Sequence, residues 1–306
     1  MRLGESEQTM THTGFFHGVL TALITPMKSD GAIDFPAYRR FIDWQIENGV
    51  SGLVPAGTTG ESPTLSHKEH GEIVAQAVET AAGRVRVMAG AGSNSTQEAI
   101  EMARHAASVG VDALLVVAPY YNKPGQEGLY RHYMAVADAT ELPLYIYNVP
   151  GRTVVEVLPE TIGRLAQHPN IVGVKDATAN LVRPLQVRRL VQKPFNQLSG
   201  EDGTIVSFLA AGGDGCISVT SNVAPALCAE LHKAWQEGRV QEAMALQDRL
   251  MPLHDAMFCE TNPGPVKYAA SRLGLCSPAI RLPMTEPAAG ACALVDEGLR
   301  LAGIIG

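Results

Sequence analysis

Lys175 closes the apolar run Ile171-Val172-Gly173-Val174, an unusual place for an ammonium group. Such a run reads as a strand buried on both faces, as in a parallel sheet. A charge there is costly unless it sits at the strand end or serves a chemical purpose. Burial lowers a lysine's pKa, and a neutral amine can attack a ketone to form a Schiff base. From an unperturbed value of about 10.4, only about one lysine in 2500 is neutral at pH 7, so the site would have to depress it by several units. The plainer alternative is a strand-end lysine whose head reaches water, and this run alone does not choose between them.

Other residues that could do chemistry recur where apolar runs end. In Gly57-Thr58-Thr59-Gly60-Glu61-Ser62 two hydroxyls stand between glycines, so the backbone can approach a small carboxylate near a helix start. A tight turn with capping residues is the alternative. Pro119-Tyr120-Tyr121-Asn122 and Tyr147-Asn148-Val149-Pro150-Gly151-Arg152-Thr153 end two later runs. A tyrosine can relay protons, and an arginine can clamp a carboxylate with two parallel hydrogen bonds. Each aromatic taken singly could equally be packing, and Arg152 a surface residue. His67 and His70, three apart at a helix start, share a face. By spacing alone they read as two solvated histidines, and no third ligand stands out for a metal.

The elements that must position these groups follow a repeating strand-then-helix pattern. Apolar runs begin near Val19, Gly52, Val85, Ala113, Leu144, Ile171, Phe195 and Gly215, separated by stretches of helical spacing such as Ile73, Val74, Ala77, Val78 and Ala81. Asp34 with Pro36 predicts one helix start, and Ser66 with Glu69 predicts a capping box at the next. Gly110 and Gly238 read as stops. Eight βα units predict an α/β fold, a (β/α)8 TIM barrel, over residues 15–240, in which strand ends converge on one mouth. Residues 241–306 read as a C-terminal helical extension, with Ala243, Leu246, Leu250 and Leu253 on one stripe that Pro252 should kink or break. An open doubly wound sheet is weakened by the lack of a Gly-x-Gly-x-x-Gly fingerprint after the first strand.

The chain has 306 residues, 46% of them hydrophobic and 18% charged, enough to bury a large core. A net charge of -7 with scattered basic residues gives no electrostatic case for nucleic acid or anionic membrane. Even Arg183, Arg188 and Arg189 fall in what reads as a solvated helix. The five cysteines are odd in number and form no Cys-x-x-Cys pair, which points away from a disulfide framework or zinc and toward a reduced cytosol. Residues 1–14 read as a polar tail without the apolar core of a signal peptide, and no run reaches membrane-spanning length.

The Gly57–Ser62 segment, the Tyr147–Thr153 segment and the Lys175 strand together resemble the dihydrodipicolinate synthase/N-acetylneuraminate lyase family of class I aldolases. The resemblance extends to Pro119-Tyr120-Tyr121-Asn122-Lys123-Pro124, Leu198-Ser199-Gly200-Glu201-Asp202 and Asn262-Pro263-Gly264-Pro265-Val266-Lys267, in order, from about Phe15 to near the C-terminus. The Tyr-Asn-Val-Pro-x-Arg-Thr form is similar to the branch whose arginine holds an aldehyde substrate's carboxylate; the sialic acid branch usually lacks that arginine. The resemblance implies a lyase without metal or organic cofactor. It would join pyruvate to L-aspartate 4-semialdehyde, giving 4-hydroxy-tetrahydrodipicolinate on the diaminopimelate route to lysine.

By position, the resemblance implies that Lys175 condenses with pyruvate and Tyr147 transfers protons to and from the Schiff base. Thr58 and Tyr121 would complete the relay, Tyr121 reaching in from a neighbouring subunit. Thr59 would bind the pyruvate carboxylate, Arg152 would orient the semialdehyde, and Gly200 and Ile217 would line the pocket near the lysine. Ser62, His67, His70, Asn94, Glu98 and Tyr120 match the positions that bind feedback L-lysine in regulated members. A cytoplasmic homotetramer, a dimer of tight dimers, is expected. Two other readings stand beside this one. A pyruvate-dependent aldolase with a sugar or hydroxy-acid acceptor is opposed by Arg152. A keto-acid sensor is opposed by the full set of lysine, tyrosines and threonines.

Overall fold

A computed structural model describes residues 16–306, so the tail expected over residues 1–14 lies outside the described residues. Eight strands run in parallel and close on themselves: β1 Gly18–Ala22, β2 Gly52–Val54, β3 Arg86–Gly90, β4 Ala113–Val117, β5 Leu144–Asn148, β6 Ile171–Asp176, β7 Asn196–Ser199 and β8 Gly215–Ser218. Each pairs with its sequence neighbours, and β8 returns to β1 through Gly18 opposite Gly215. This is the (β/α)8 barrel that the spacing of apolar runs predicts.

Helices α1 Phe35–Glu47, α2 His67–Ala81, α3 Thr96–Ser108 and α4 Gln126–Ala137 follow the first four strands. After β5 come the short α5 Pro150–Thr153 and α6 Pro159–Leu165; then α7 Arg183–Leu190, α8 Ile205–Ala210 and α9 Pro225–Gln236 complete the ring. The predicted starts are local chemistry made visible. Asp34 accepts from the Ala37 amide at 3.0 Å, and Ser66 and Glu69 satisfy each other's backbone amides in a capping box.

Side chains alternate between two apolar layers. Val19, Ile146 and Val174 pack outward against the helices, while Leu20, Tyr145, Tyr147, Leu198 and Ile217 fill the barrel interior. Beyond α9 the chain continues as α10 Val240–Ala256, α11 Gly264–Arg272 and α12 Ala289–Leu301. Pro252 does not end α10, which runs on to Ala256. A proline forfeits one backbone hydrogen bond, and here buried Leu250 and Leu253 hold the helix on both sides of it.

A second correction concerns Arg183. It is 2% exposed, not solvated, whereas Arg188 and Arg189 of the same helix are exposed.

Candidate active site

The parity of β6 decides where Lys175 points. Leu144 and Tyr145 on β5 oppose Ile171 and Gly173, so Val172 is an extra residue in the ladder. One extra residue reverses which face every later side chain takes. Without it Lys175 would face the helices; with it, Lys175 lies opposite Tyr147 inside the barrel. Gly173 makes the shift possible, because a Cβ there would stand 2.4 Å from the Tyr145 ring. Lys175 is 6% exposed, and its Nζ lies 4.3 Å from the centroid of the Tyr147 ring. Next to it, Gly200 leaves the room its position requires: a Cβ would sit 3.1 Å from Lys175 Cε and 2.6 Å from Ala177 Cβ. Ile217 is fully buried in the same interior layer.

Tyr147 opens onto a cavity of about 220 Å³ at the C-terminal mouth, lined also by Thr58, Ser62, Tyr120 and Arg152. Thr59, which follows Thr58 in the chain, is buried, and its Oγ1 accepts from Asn262 Nδ2 at 3.0 Å. Arg152, on the one-turn helix α5, donates from Nη2 to the Asn262 carbonyl at 3.1 Å. The mouth therefore gathers a phenol, hydroxyls and a guanidinium from the ends of β2 and β5, with the β6 amine of Lys175 against the Tyr147 ring. That set can bind carboxylates, attack a carbonyl and move protons.

Tyr121 is not part of this gathering within one chain. It is 88% exposed, with a positive φ of 70°. The six residues matched to lysine binding divide between places. Ser62 and Tyr120 line the mouth, while His67 and His70 line a separate hollow with His105. Glu98 accepts from Ser93 Oγ at 2.7 Å, and the Asn94 carbonyl accepts from Asn122 at 2.8 Å. His67 is exposed but His70 is not; burial pulls the His70 imidazole down to about 4, against a hydrogen bond with the Gly90 backbone that pushes it up. Among the described residues no cluster of three or more His, Cys, Asp or Glu is arranged to hold a metal, and no helix is long and apolar enough to cross a membrane.

The sequence profile of the dihydrodipicolinate synthetase family matches residues 15–293. The chain belongs to the dihydrodipicolinate synthetase family. The 4-hydroxy-tetrahydrodipicolinate synthase of Gluconacetobacter diazotrophicus is 67% identical over 294 residues, 96% of this chain and 99% of that one. The dihydrodipicolinate synthase of Acinetobacter baumannii, solved in complex with pyruvate, superposes with a TM-score of 0.92 at 43% identity, covering 94% of this chain and 99% of that one. The enzyme of Cyanidioschyzon merolae, solved with lysine bound, gives a TM-score of 0.92 at 38% identity over 95% and 99%.

In this member of the dihydrodipicolinate synthetase family, several residues around the site escaped the sequence reading. Asp176, next to Lys175, faces the opposite way and accepts from Arg183 Nε at 2.6 Å. Arg183 also donates to the Val157 carbonyl at 2.8 Å and pairs with Glu156, tying the Lys175 strand to the chain beyond Arg152. A signal was present: Arg183 opens α7, where the helix dipole opposes a cation, so a carboxylate partner was to be expected. Glu201 is half-buried beside Lys175; burial, with Asp202 and Asp176 adding to it and Lys175 opposing, raises its carboxyl to about 6.

Proposed function

We propose that the chain catalyses the aldol condensation of pyruvate with L-aspartate 4-semialdehyde through a Schiff base on Lys175, forming 4-hydroxy-tetrahydrodipicolinate for lysine synthesis. The observation that carries this reading is the inward-facing Lys175 amine over the Tyr147 ring, with Arg152 on the same mouth. The Lys175 amine adds to the pyruvate ketone, and loss of water gives an iminium. Removal of a C3 proton yields the enamine, whose C3 forms a bond to the aldehyde carbon as the aldehyde oxygen takes up a proton. The semialdehyde's own amine then closes on C2 and displaces Lys175. Tyr147 transfers the protons, with Thr58 and the neighbouring subunit's Tyr121 as its relay. Thr59 binds the pyruvate carboxylate, Arg152 that of the semialdehyde, and Gly200 and Ile217 wall the lysine. Comparing kcat/KM for the semialdehyde with that for N-acetylmannosamine tests the acceptor. A preference of about 100-fold or more, ~2.7 kcal/mol at the transition state, is expected. Equal rates would keep the Schiff base and remove Arg152 as the acceptor's reader.

The exposed, positive-φ Tyr121 supports an assembly in which a second copy receives it, and we place this in a cytoplasmic homotetramer of two tight dimers. Sedimentation showing a fully active monomer would refute the role of Tyr121. Ser62, His67, His70, Asn94, Glu98 and Tyr120 form the proposed L-lysine site, supported by the lysine-bound relative. Absence of lysine heat in titration calorimetry at millimolar concentration would remove that site.

A further inference from the structure

We infer that Asn262 is a positioning residue that sets the direction of the Thr59 hydroxyl and joins the two carboxylate-binding groups of the mouth into one unit. It rests on the reading of Thr59 as part of the pyruvate carboxylate site. Asn262 lies between α10 and α11, far along the chain from both partners, and is 5% exposed. Its Nδ2 donates to Thr59 Oγ1 at 3.0 Å, and its backbone carbonyl accepts from Arg152 Nη2 at 3.1 Å. One residue thus touches the β2 turn with its side chain and the β5 turn with its main chain.

The direction of the first hydrogen bond matters. A hydroxyl has one proton to donate and can also accept. With its oxygen occupied by an amide N–H, Thr59 keeps that proton for another acceptor, and a carboxylate seated against the turn is one. An amide turned the other way would take the proton and aim it away from the ligand. The Asn262 Oδ1 is buried without a partner among the described residues, so among them Thr59 is the only group this amide side chain bonds. A residue serving the fold alone would gain more from an apolar group of similar size.

The test uses the full assembled chain with Asn262→Ala, Asn262→Asp, Thr59→Val and the Asn262→Ala/Thr59→Val double variant. The KM for pyruvate and for the semialdehyde are measured separately, along with the pyruvate concentration that half-saturates borohydride trapping on Lys175. Asn262→Ala should raise both pyruvate values about tenfold, ~1.4 kcal/mol, the scale of one hydrogen bond. The semialdehyde KM should stay within about twofold, because alanine keeps the carbonyl that holds Arg152. Asn262→Asp should raise the pyruvate values more than alanine does, since a carboxylate takes the Thr59 proton and repels the anion. The double variant should bind pyruvate no worse than Thr59→Val alone.

Equal rises in both KM values, or a fall in kcat with both KM values unchanged, would overturn the inference. So would an Asn262→Asp enzyme with wild-type pyruvate binding. If Asn262→Ala fails to fold, the isosteric aspartate carries the same decision. A Thr59→Val enzyme with unchanged pyruvate KM overturns the reading of Thr59 and this inference with it. A Thr59→Val effect without an Asn262 effect overturns this inference alone.

Discussion

Two lysines among the described residues are buried, and their surroundings differ. Lys267, on α11, is wholly buried, and its Nζ lies 2.5 Å from Glu61 Oε1. The other Glu61 oxygen accepts from the Arg281 amide at 3.0 Å. Burial pulls the Lys267 pKa down, and Glu61 pushes back. Lys175 is nearly as buried, yet among the described residues it has no carboxylate ion pair; its amine faces the Tyr147 ring. The carboxylate next to it in sequence, Asp176, is turned to the other layer and held by Arg183. Burial alone therefore says little about a lysine. Lys267, paired with a carboxylate, braces the Gly57–Ser62 turn against the C-terminal helices, whereas the amine we propose as the nucleophile is Lys175, which has no such ion pair among the described residues.

Removing each amine should break different things. Lys175→Ala should lower kcat by about 10⁴-fold or more, ~5.5 kcal/mol, with unfolding free energy unchanged or higher. Borohydride with pyruvate should then leave no adduct in the mass spectrum. Lys267→Met leaves the buried Glu61 carboxylate without its counter-charge, which should cost about 3–5 kcal/mol in urea unfolding. Glu61→Gln should cost nearly as much, while the double Glu61→Gln/Lys267→Met variant recovers most of the loss. Single variants costing under ~1 kcal/mol would mean that the pair does not brace the turn. Tyr147→Phe sharpens the comparison at Lys175, since it keeps the ring face and removes only the hydroxyl. A fall in kcat of about 100-fold assigns proton transfer to that hydroxyl. A wild-type kcat leaves the ring as mere packing for the amine.

The difference between the lysines was half-legible in the sequence. Strand starts, two helix caps and the residues at strand ends depend on local signals, so Gly52, Ile171, Asp34 and Ser66 fall where the spacing places them. The extra residue at Val172 does not, because a run apolar on both faces carries no alternation to reveal its parity. The pairing of Lys267 with Glu61 spans 206 residues, and the bond from Asn262 to Thr59 spans 203. No local pattern encodes such partners. Lys267 and Asn262 were visible only as members of one quoted motif, without roles.

The finest test of the comparison is Gly200→Ala, which changes the space around Lys175 without touching its chemistry. The new methyl would meet Lys175 Cε at 3.1 Å, where a flexible side chain can move, and Ala177 Cβ at 2.6 Å, where the backbone must shift. Overpacking of this kind costs roughly 1–3 kcal/mol of stability and displaces the lysine stem from the Tyr147 ring. Borohydride trapping with saturating pyruvate should slow about tenfold, ~1.4 kcal/mol of misplacement. The Glu61–Lys267 pair should be untouched, so the further cost of Lys267→Met should be the same in either background. Trapping at the wild-type rate would mean that the lysine tolerates displacement. The contrast between the two lysines would then rest on the missing carboxylate alone, not on how tightly Gly200 lets the neighbouring strand approach.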